Sequence, residues 1–205
     1  MIAPMVTRQP DHTRSRLLEA AFAEIHQQGF QGASLTRILE GTGLTKGALY
    51  HHFPTKQELG LAVVDEVIHE RLDAILFTPL RQGADPIGTL LALIRARAAD
   101  ASPATVRLGC PLNNLMQEMS PVDPQFRARL TRVLEDWTAA VESALRRGQA
   151  QGQLRAGVDC REAALFITAA WEGCFGVCKN LQSVPALTGC LRQLEGYVRG
   201  LLMTP

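Results

Sequence analysis

Gly43-Leu44-Thr45-Lys46-Gly47-Ala48-Leu49-Tyr50-His51-His52-Phe53-Pro54-Thr55-Lys56 decides how this chain folds and what it touches. Thr45 can cap a short helix, because its hydroxyl accepts from a backbone N–H that the first turn leaves without a partner. Pro54 closes that helix, since proline disfavours the α conformation in the residue before it. Inside it, Leu49 and Phe53 stand four apart and share one face, which suits burial. Gly47 and Ala48 bring no bulk, so the opposite side can approach a surface closely. Thr45, Lys46, Tyr50 and His51 remain on that side, able to meet base edges and phosphates. Taken alone, such a helix is equally an ordinary amphipathic turn with a basic edge. Its neighbours carry the decision.

Immediately upstream, Ser34 can cap another short helix that turns Leu35, Ile38 and Leu39 inward and ends at Gly41 and Gly43. Two short helices joined by a glycine turn are what a helix-turn-helix requires, the second one entering the major groove. Before them, Leu17, Leu18, Ala21, Phe22 and Ile25 recur at helical spacing, with Gly29 as the stop. Downstream, Thr55-Lys56-Gln57-Glu58 fits a capping box, in which hydroxyl and carboxylate cover reciprocal backbone donors. It opens a long helix with Leu59, Val63, Val67 and Leu72 among its apolar positions. Lys56 adds its charge to the free amides and positive dipole of that helix start, a combination suited to phosphate.

Asp85-Pro86, Gly109-Cys110-Pro111 and Asp123-Pro124 each restart a helix, because proline is welcome in a first turn and aspartate caps it. From Phe126, the apolar Leu130, Val133, Leu134, Trp137, Val141 and Leu145 hold one stripe. Asp159 can cap a nearly all-apolar helix reaching about Lys179, and Pro185 begins a last one ending near Leu202. No alternating strand pattern, internal repeat or long linker interrupts the series. The expectation is an all-α chain of about nine helices. An N-terminal arm covers 1–12, a three-helix helix-turn-helix domain 13–56, and a helical domain 57–205. The helix from residue 55 links the halves and should make them move as a coupled body.

With 205 residues, 46% of them apolar and 20% charged, the chain can bury one large core or two modest ones in contact. A formal net charge of +1 gives no whole-molecule attraction to nucleic acid. Residues 1–56 hold six Arg or Lys against four acids, so a basic patch must be local. The first ten residues lack the apolar run of a signal peptide. The longest apolar segment, Cys160 to Cys178, is interrupted by Arg161, Glu162 and Glu172, so no membrane span is expected. Five cysteines without paired spacing suit a reduced, cytoplasmic protein. No nucleophile–base set, metal cluster or phosphate loop stands at useful spacing, which argues against a helical enzyme, the competing class. No cofactor or metal is expected.

Thr13 to about Val64 resembles the DNA-binding domain of the TetR family of regulators. The resemblance is carried by Ala20-Ala21-Phe22, Gly29-Phe30, Ser34, Ile38, Gly43-Leu44, Thr45-Lys46-Gly47-Ala48-Leu49-Tyr50 and His52-Phe53. It implies a three-helix reader, a helical ligand-binding domain and a homodimer. By matching position, Ser34 and Thr36 contact phosphate, while Thr45, Lys46, Gly47, Tyr50, His51 and Lys56 sit on or near double-stranded operator DNA. Two departures stand out. Leu39-Glu40-Gly41-Thr42 replaces the usual alanine-rich helix end, and in Thr36-Arg37 the arginine stands one position later than is common. Arg37 either reaches phosphate or turns aside.

In the second half, Gly109-Cys110-Pro111-Leu112-Asn113-Asn114-Leu115-Met116-Gln117-Glu118-Met119-Ser120 is similar to a stretch in a subgroup that includes electrophile and acrylate sensors. A small-molecule effector needs an apolar cavity with a few polar groups aimed inward. The candidates for its wall are Met116, Met119, Trp137, Trp171 and Phe175, with Asn113, Gln117, Glu118 and Glu172 as polar options; for the apolar ones, core packing is the competing role. Glu172 lies between Trp171 and Phe175 in an apolar helix, where an unpaired carboxylate is costly. Cys110 precedes Pro111 at a helix start, where amide dipoles can lower a thiol pKa and make it reactive. Cys174 and Cys178, four apart, lack the further ligands of a metal site and read as small buried hydrophobes. The last two helices, the first rich in Ala163, Ala164, Ala169, Ala170, Gly173 and Gly176, can pair with a second copy as a four-helix bundle. The function expected is a homodimeric repressor released from a palindromic operator by a small-molecule inducer; thiol sensing through Cys110 is the variant.

Overall fold

Residues 9–203 are those the structure, a computed structural model, describes. The arm expected over 1–12 falls mostly outside them. Helix α1 (Gln9–Gly32) breaks at the expected stop, Gly29, whose φ of +76° suits glycine, and closes one more turn. Helices α2 (Leu35–Glu40) and α3 (Lys46–His52) follow, with Gly43 at φ +62° in the turn between them. A buried threonine locks that turn. The Thr42 hydroxyl donates to the Leu39 carbonyl at 2.9 Å and accepts from the Leu44 N–H at 3.2 Å. Thr45 caps α3 by accepting from the Ala48 N–H at 3.1 Å.

Ser34 departs from expectation. Its backbone stands at the N-cap of α2, but its hydroxyl makes no cap bond. Glu24, on α1, supplies an acceptor there instead: the Ser34 N–H donates to Glu24 Oε1 at 3.0 Å.

Residues 56–82 form one unbroken helical run, α4, opened by the Thr55 hydroxyl accepting from the Glu58 N–H at 3.0 Å. Within it Val64–His69 and Asp73–Phe77 are wound as π-helix. Each such bulge widens the ladder and swings the apolar stripe around the axis. Then come α5 (Pro86–Ala99), α6 (Pro103–Leu108), α7 (Pro111–Met119), α8 (Pro124–Ala150), α9 (Cys160–Leu181) and α10 (Val184–Gly200). Asp85, Ser102, Asp123, Asp159 and Ser183 cap five of them with side-chain oxygens. The short α6 adds one piece to the expected order. Among the described residues there is no strand, only an isolated bridge between Leu154 and Leu202. No described helix is long and apolar enough to cross a membrane.

The core is built on α8. Phe126, Leu130, Val133, Trp137, Val141 and Leu145 are all buried, while Leu134 is only half-buried and stands off the stripe. Phe126 also fastens the two halves together. Its ring lies 4.6 Å from that of Phe30 on α1, and Gly60 of α4 sits beneath both. A Cβ at Gly60 would come within 2.7 Å of Phe126 Cζ, so only glycine fits. The reader is therefore packed rigidly on the second domain rather than tethered to it.

Candidate functional site

The α3 surface is built as its sequence suggests. Leu49 and the following Phe53 are buried at 1% and 2% exposure, which fixes the helix against α1 and leaves its other side outward. Thr45, Lys46, Gly47, Tyr50 and His51 are exposed on that side, as is Thr36 on α2; Ser34 is half-buried. Two of the basic candidates are already engaged. Arg37 turns aside, donating from Nε to Glu24 Oε1 at 2.7 Å and from Nη2 to the Gly32 carbonyl at 3.2 Å. Lys56 Nζ donates to the Gln31 carbonyl at 3.0 Å and lies 5.1 Å from the centre of the Phe30 ring. Glu24 thus orders the start of α2 through two partners, and Lys56 ties α4 to the end of α1.

A cavity of about 450 Å³ lies between α1, α4, the α6–α7 junction, α8 and α9. The candidates Cys110, Trp137, Trp171, Glu172 and Phe175 share its wall. Asn113 and Gln117 instead line a neighbouring cleft of about 590 Å³ between α1 and α7. Asn113 still reaches the same residue, its Nδ2 donating to the Glu172 carbonyl at 2.9 Å. Met116 is half-buried against the core, and Met119 is buried within it. The sequence left out the α1 and α4 part of the wall: Phe22, His26, Ile68, Arg71, Leu72, Ile75 and Leu76. The only sequence signal for it is a histidine on the inward side of α1.

The polar groups of the cavity are few. Burial pushes the Glu172 carboxyl up to about 7, although a hydrogen bond from the Cys110 thiol works against the rise. That bond spans 3.3 Å from Sγ to Oε1, and Oε2 is buried with no partner. Cys110 contradicts the expectation of an acidic thiol: burial, then the charge of Glu172, push it well above its ordinary value. The helix-start amides that were to lower it are outweighed. Cys174 and Cys178 are buried, and desolvation raises both thiols, Cys174 to about 12. Burial also holds His26 below its ordinary value, against the pull of the Gly109 carbonyl, which accepts from its Nε2–H at 3.0 Å.

A second carboxylate joins the halves of the molecule. Glu118, near the end of α7, accepts from the Phe30 and Gln31 N–H groups at 2.8 Å each, immediately after the Gly29 break. Its Oε2 would lie 2.9 Å from a Cβ at Gly29, so that glycine also makes room for the contact. α7 therefore begins beside the cavity at Cys110 and ends on the reader.

Comparison with known proteins agrees with this arrangement. Residues 17–63 match the family described as bacterial regulatory proteins, tetR family, and residues 86–194 match the tetracyclin repressor-like C-terminal domain. The transcriptional regulator AcuR of Cereibacter sphaeroides is 29% identical over 182 residues, 83% of each chain. The transcriptional repressor AcnR of Corynebacterium glutamicum is 26% identical over 194 residues, covering 93% of this chain and 95% of that one. Among solved structures, a TetR transcriptional regulator from Chloroflexus aurantiacus has 27% identity and a TM-score of 0.82, covering 96% of this chain and 98% of its own. The chain belongs to the TetR family: a DNA-binding transcriptional regulator, not an enzyme, with a helix-turn-helix reader followed by a tetracyclin repressor-like C-terminal domain.

Proposed function

We propose that this regulator is a homodimeric repressor that holds a palindromic operator with α3 and leaves it when a small molecule fills the cavity. The observation that carries this is the shared wall: Phe22 and His26 of the reader's own α1 line the cavity beside Glu172 and Phe175 of α9. A molecule that enters must push on the reader. Ile68, Leu72, Ile75 and Leu76 place both π-wound regions of α4, or their edges, on the same wall. Such bulges are common at functional sites and give a helix room to rewind. The ligand acts only if it favours the geometry that cannot bind DNA. AcnR, named as a repressor, supports the direction of control.

Within this scheme Thr45, Lys46, Gly47, Tyr50 and His51 face the groove, and Ser34, Thr36 and Lys56 lie towards phosphates. Arg37 acts by holding α2 to Glu24. Lys56 must exchange the Gln31 carbonyl for phosphate or share itself between them. Thiol sensing loses its physical support, because a thiol held protonated is a poor nucleophile.

The dimer has a face of its own. Leu165, Ala169, Gly173, Val177 and Leu181 recur every four residues on α9, and all five are exposed. Phe166 extends this strip, with its ring 4.5 Å from Tyr197 on α10. Ala163 and Ala164, by contrast, are buried inside the protomer, and Ala170 is half-buried. The small residues thus serve two surfaces, one inside the protomer and one facing out.

A titration of labelled DNA from upstream of the gene tests the proposal. Binding should saturate at two chains per palindromic site and fail when Lys46 and Tyr50 are both changed to Ala. Equal affinity for scrambled DNA would overturn it.

A further inference from the structure

Among the described residues Glu172 is the one buried acidic side chain, and on the wall of this shared cavity it is short of partners. It is 6% exposed, its Oε1 takes only a thiol hydrogen, and its Oε2 has none. Thiols are weak donors. A buried carboxylate in this state carries a desolvation cost that a single thiol hydrogen bond offsets only in part. Trp137, Trp171 and Phe175 share the cavity wall with it, the two indoles 5.8 Å apart at nearly a right angle. Aromatic faces attract a desolvated cation, and a carboxylate completes its neutralisation.

We propose that the effector is a lipophilic molecule with a single protonated amine, and that Glu172 is its counter-ion in the aromatic-walled cavity. This rests on the cavity being the effector site. The last torsion of a glutamate is broad, so the carboxyl can turn from Cys110 to a ligand donor at little cost. The other charges of the wall do not compete for it. Arg71 is paired with Glu19 and lies 4.3 Å from the Phe22 ring. Arg97 is half-buried, with its guanidinium turned to the Phe175 ring 5.9 Å away. His26 is neutral and spent on the Gly109 carbonyl. Arg97 would instead draw an anionic ligand, and that alternative is put to the test below.

The chain has two tryptophans and both line the cavity, so intrinsic fluorescence reports its occupancy without DNA. Phenylpropylamine, phenylpropanol and phenylpropanoate share one apolar frame and differ in the charge at its end. At about pH 8 the amine should bind at least about tenfold more tightly than the alcohol or the acid, a difference of about 1.4 kcal/mol. Glu172→Gln should bring amine and alcohol within about threefold of each other. In the wild type, amine affinity should fall as pH drops from about 8 to about 6 and Glu172 takes up its proton, while alcohol affinity stays level. That titration decides the matter even if the variant fails to fold. Tightest binding by the acid, an amine preference that survives Glu172→Gln, or no emission change with any of the three would overturn the proposal. Because no operator is present, these outcomes leave the DNA-binding reading untouched, and failure to bind DNA would leave the ranking of the three amphiphiles interpretable.

Discussion

A carboxylate buried in an aromatic-walled cavity is a stability statement as well as a binding one. The Glu172 carboxyl ionises near 7 in the folded chain and near its ordinary 4.5 when unfolded. Between those values the unfolded chain releases its proton first, so the folded state loses stability as pH rises through the window and gains none beyond it. The loss is of the order of 1–3 kcal/mol, at about 1.36 kcal/mol per unit and with allowance for the thiol bond. Glu172→Gln should therefore melt higher than the wild type at about pH 8 and nearly level with it at about pH 5, by scanning calorimetry. A variant no more stable at pH 8 would show that the carboxylate is better solvated than its burial implies. Lys56→Ala belongs to the same scale. It should weaken all DNA alike and make the salt slope shallower by about 1.8 log units for a dimer, one phosphate being lost per half-site. An unchanged slope in anisotropy titrations at several salt concentrations would remove Lys56 from the phosphate role. Glu172 was legible as costly because its neighbours in sequence are apolar. Arg37 was not legible in its actual role, since the acceptors it meets, on Glu24 and Gly32, are brought near only when α1 packs on α2.

Helices report their starts in sequence and hide their partners. Thr45, Thr55, Asp85, Asp123 and Asp159 were recognisable as caps because capping is settled within four residues. Ser34 holds the N-cap position without a hydroxyl cap bond, and a carboxylate ten residues away accepts from its own N–H instead, a contact that local sequence does not announce. The π-wound regions of α4 left no trace in the sequence, for they depend on what packs against the helix. The same holds for α7, whose two ends meet the cavity and the reader. Glu118→Gln keeps one acceptor oxygen and sets an NH2 donor against the other N–H, so one charge-assisted hydrogen bond is weakened and the other is lost, at a cost of about 1–3 kcal/mol. Hydrogen exchange at the Phe30 and Gln31 amides should quicken accordingly, while the α3 amides keep their wild-type protection relative to global unfolding. Unchanged exchange at those two amides would mean that α7 does not hold the reader. The joint between α1, α4 and α8 makes a parallel demand. Gly60→Ala should destabilise the chain by about 1–3 kcal/mol in urea, because Phe30 and Phe126 have no room to give.

The proposed homodimeric repressor works only if two readers are held at a fixed separation. One short recognition helix offers too little surface for operator-level affinity, whereas two can reach successive major grooves about 34–36 Å apart. The nearly all-apolar α9 was expected to pair with a second copy, and in a single chain it shows an outward strip from Leu165 to Leu181. An apolar composition announces that a helix will be covered but does not tell whether its own chain or a second copy covers it. Gly173 lies in the middle of the strip and is exposed, and a Cβ added there meets no packed neighbour of its own protomer within 4 Å. A glutamate at that position should leave the protomer folded while placing two charges against each other across the paired helices. The decisive measurement is sedimentation of Gly173→Glu combined with a titration of the palindromic operator at the same protein concentration. The expected result is a folded monomer whose operator affinity falls at least about a hundredfold, with every residue of α3 intact. A variant that stays dimeric, or a monomer that holds the operator as tightly as the wild type, would contradict it.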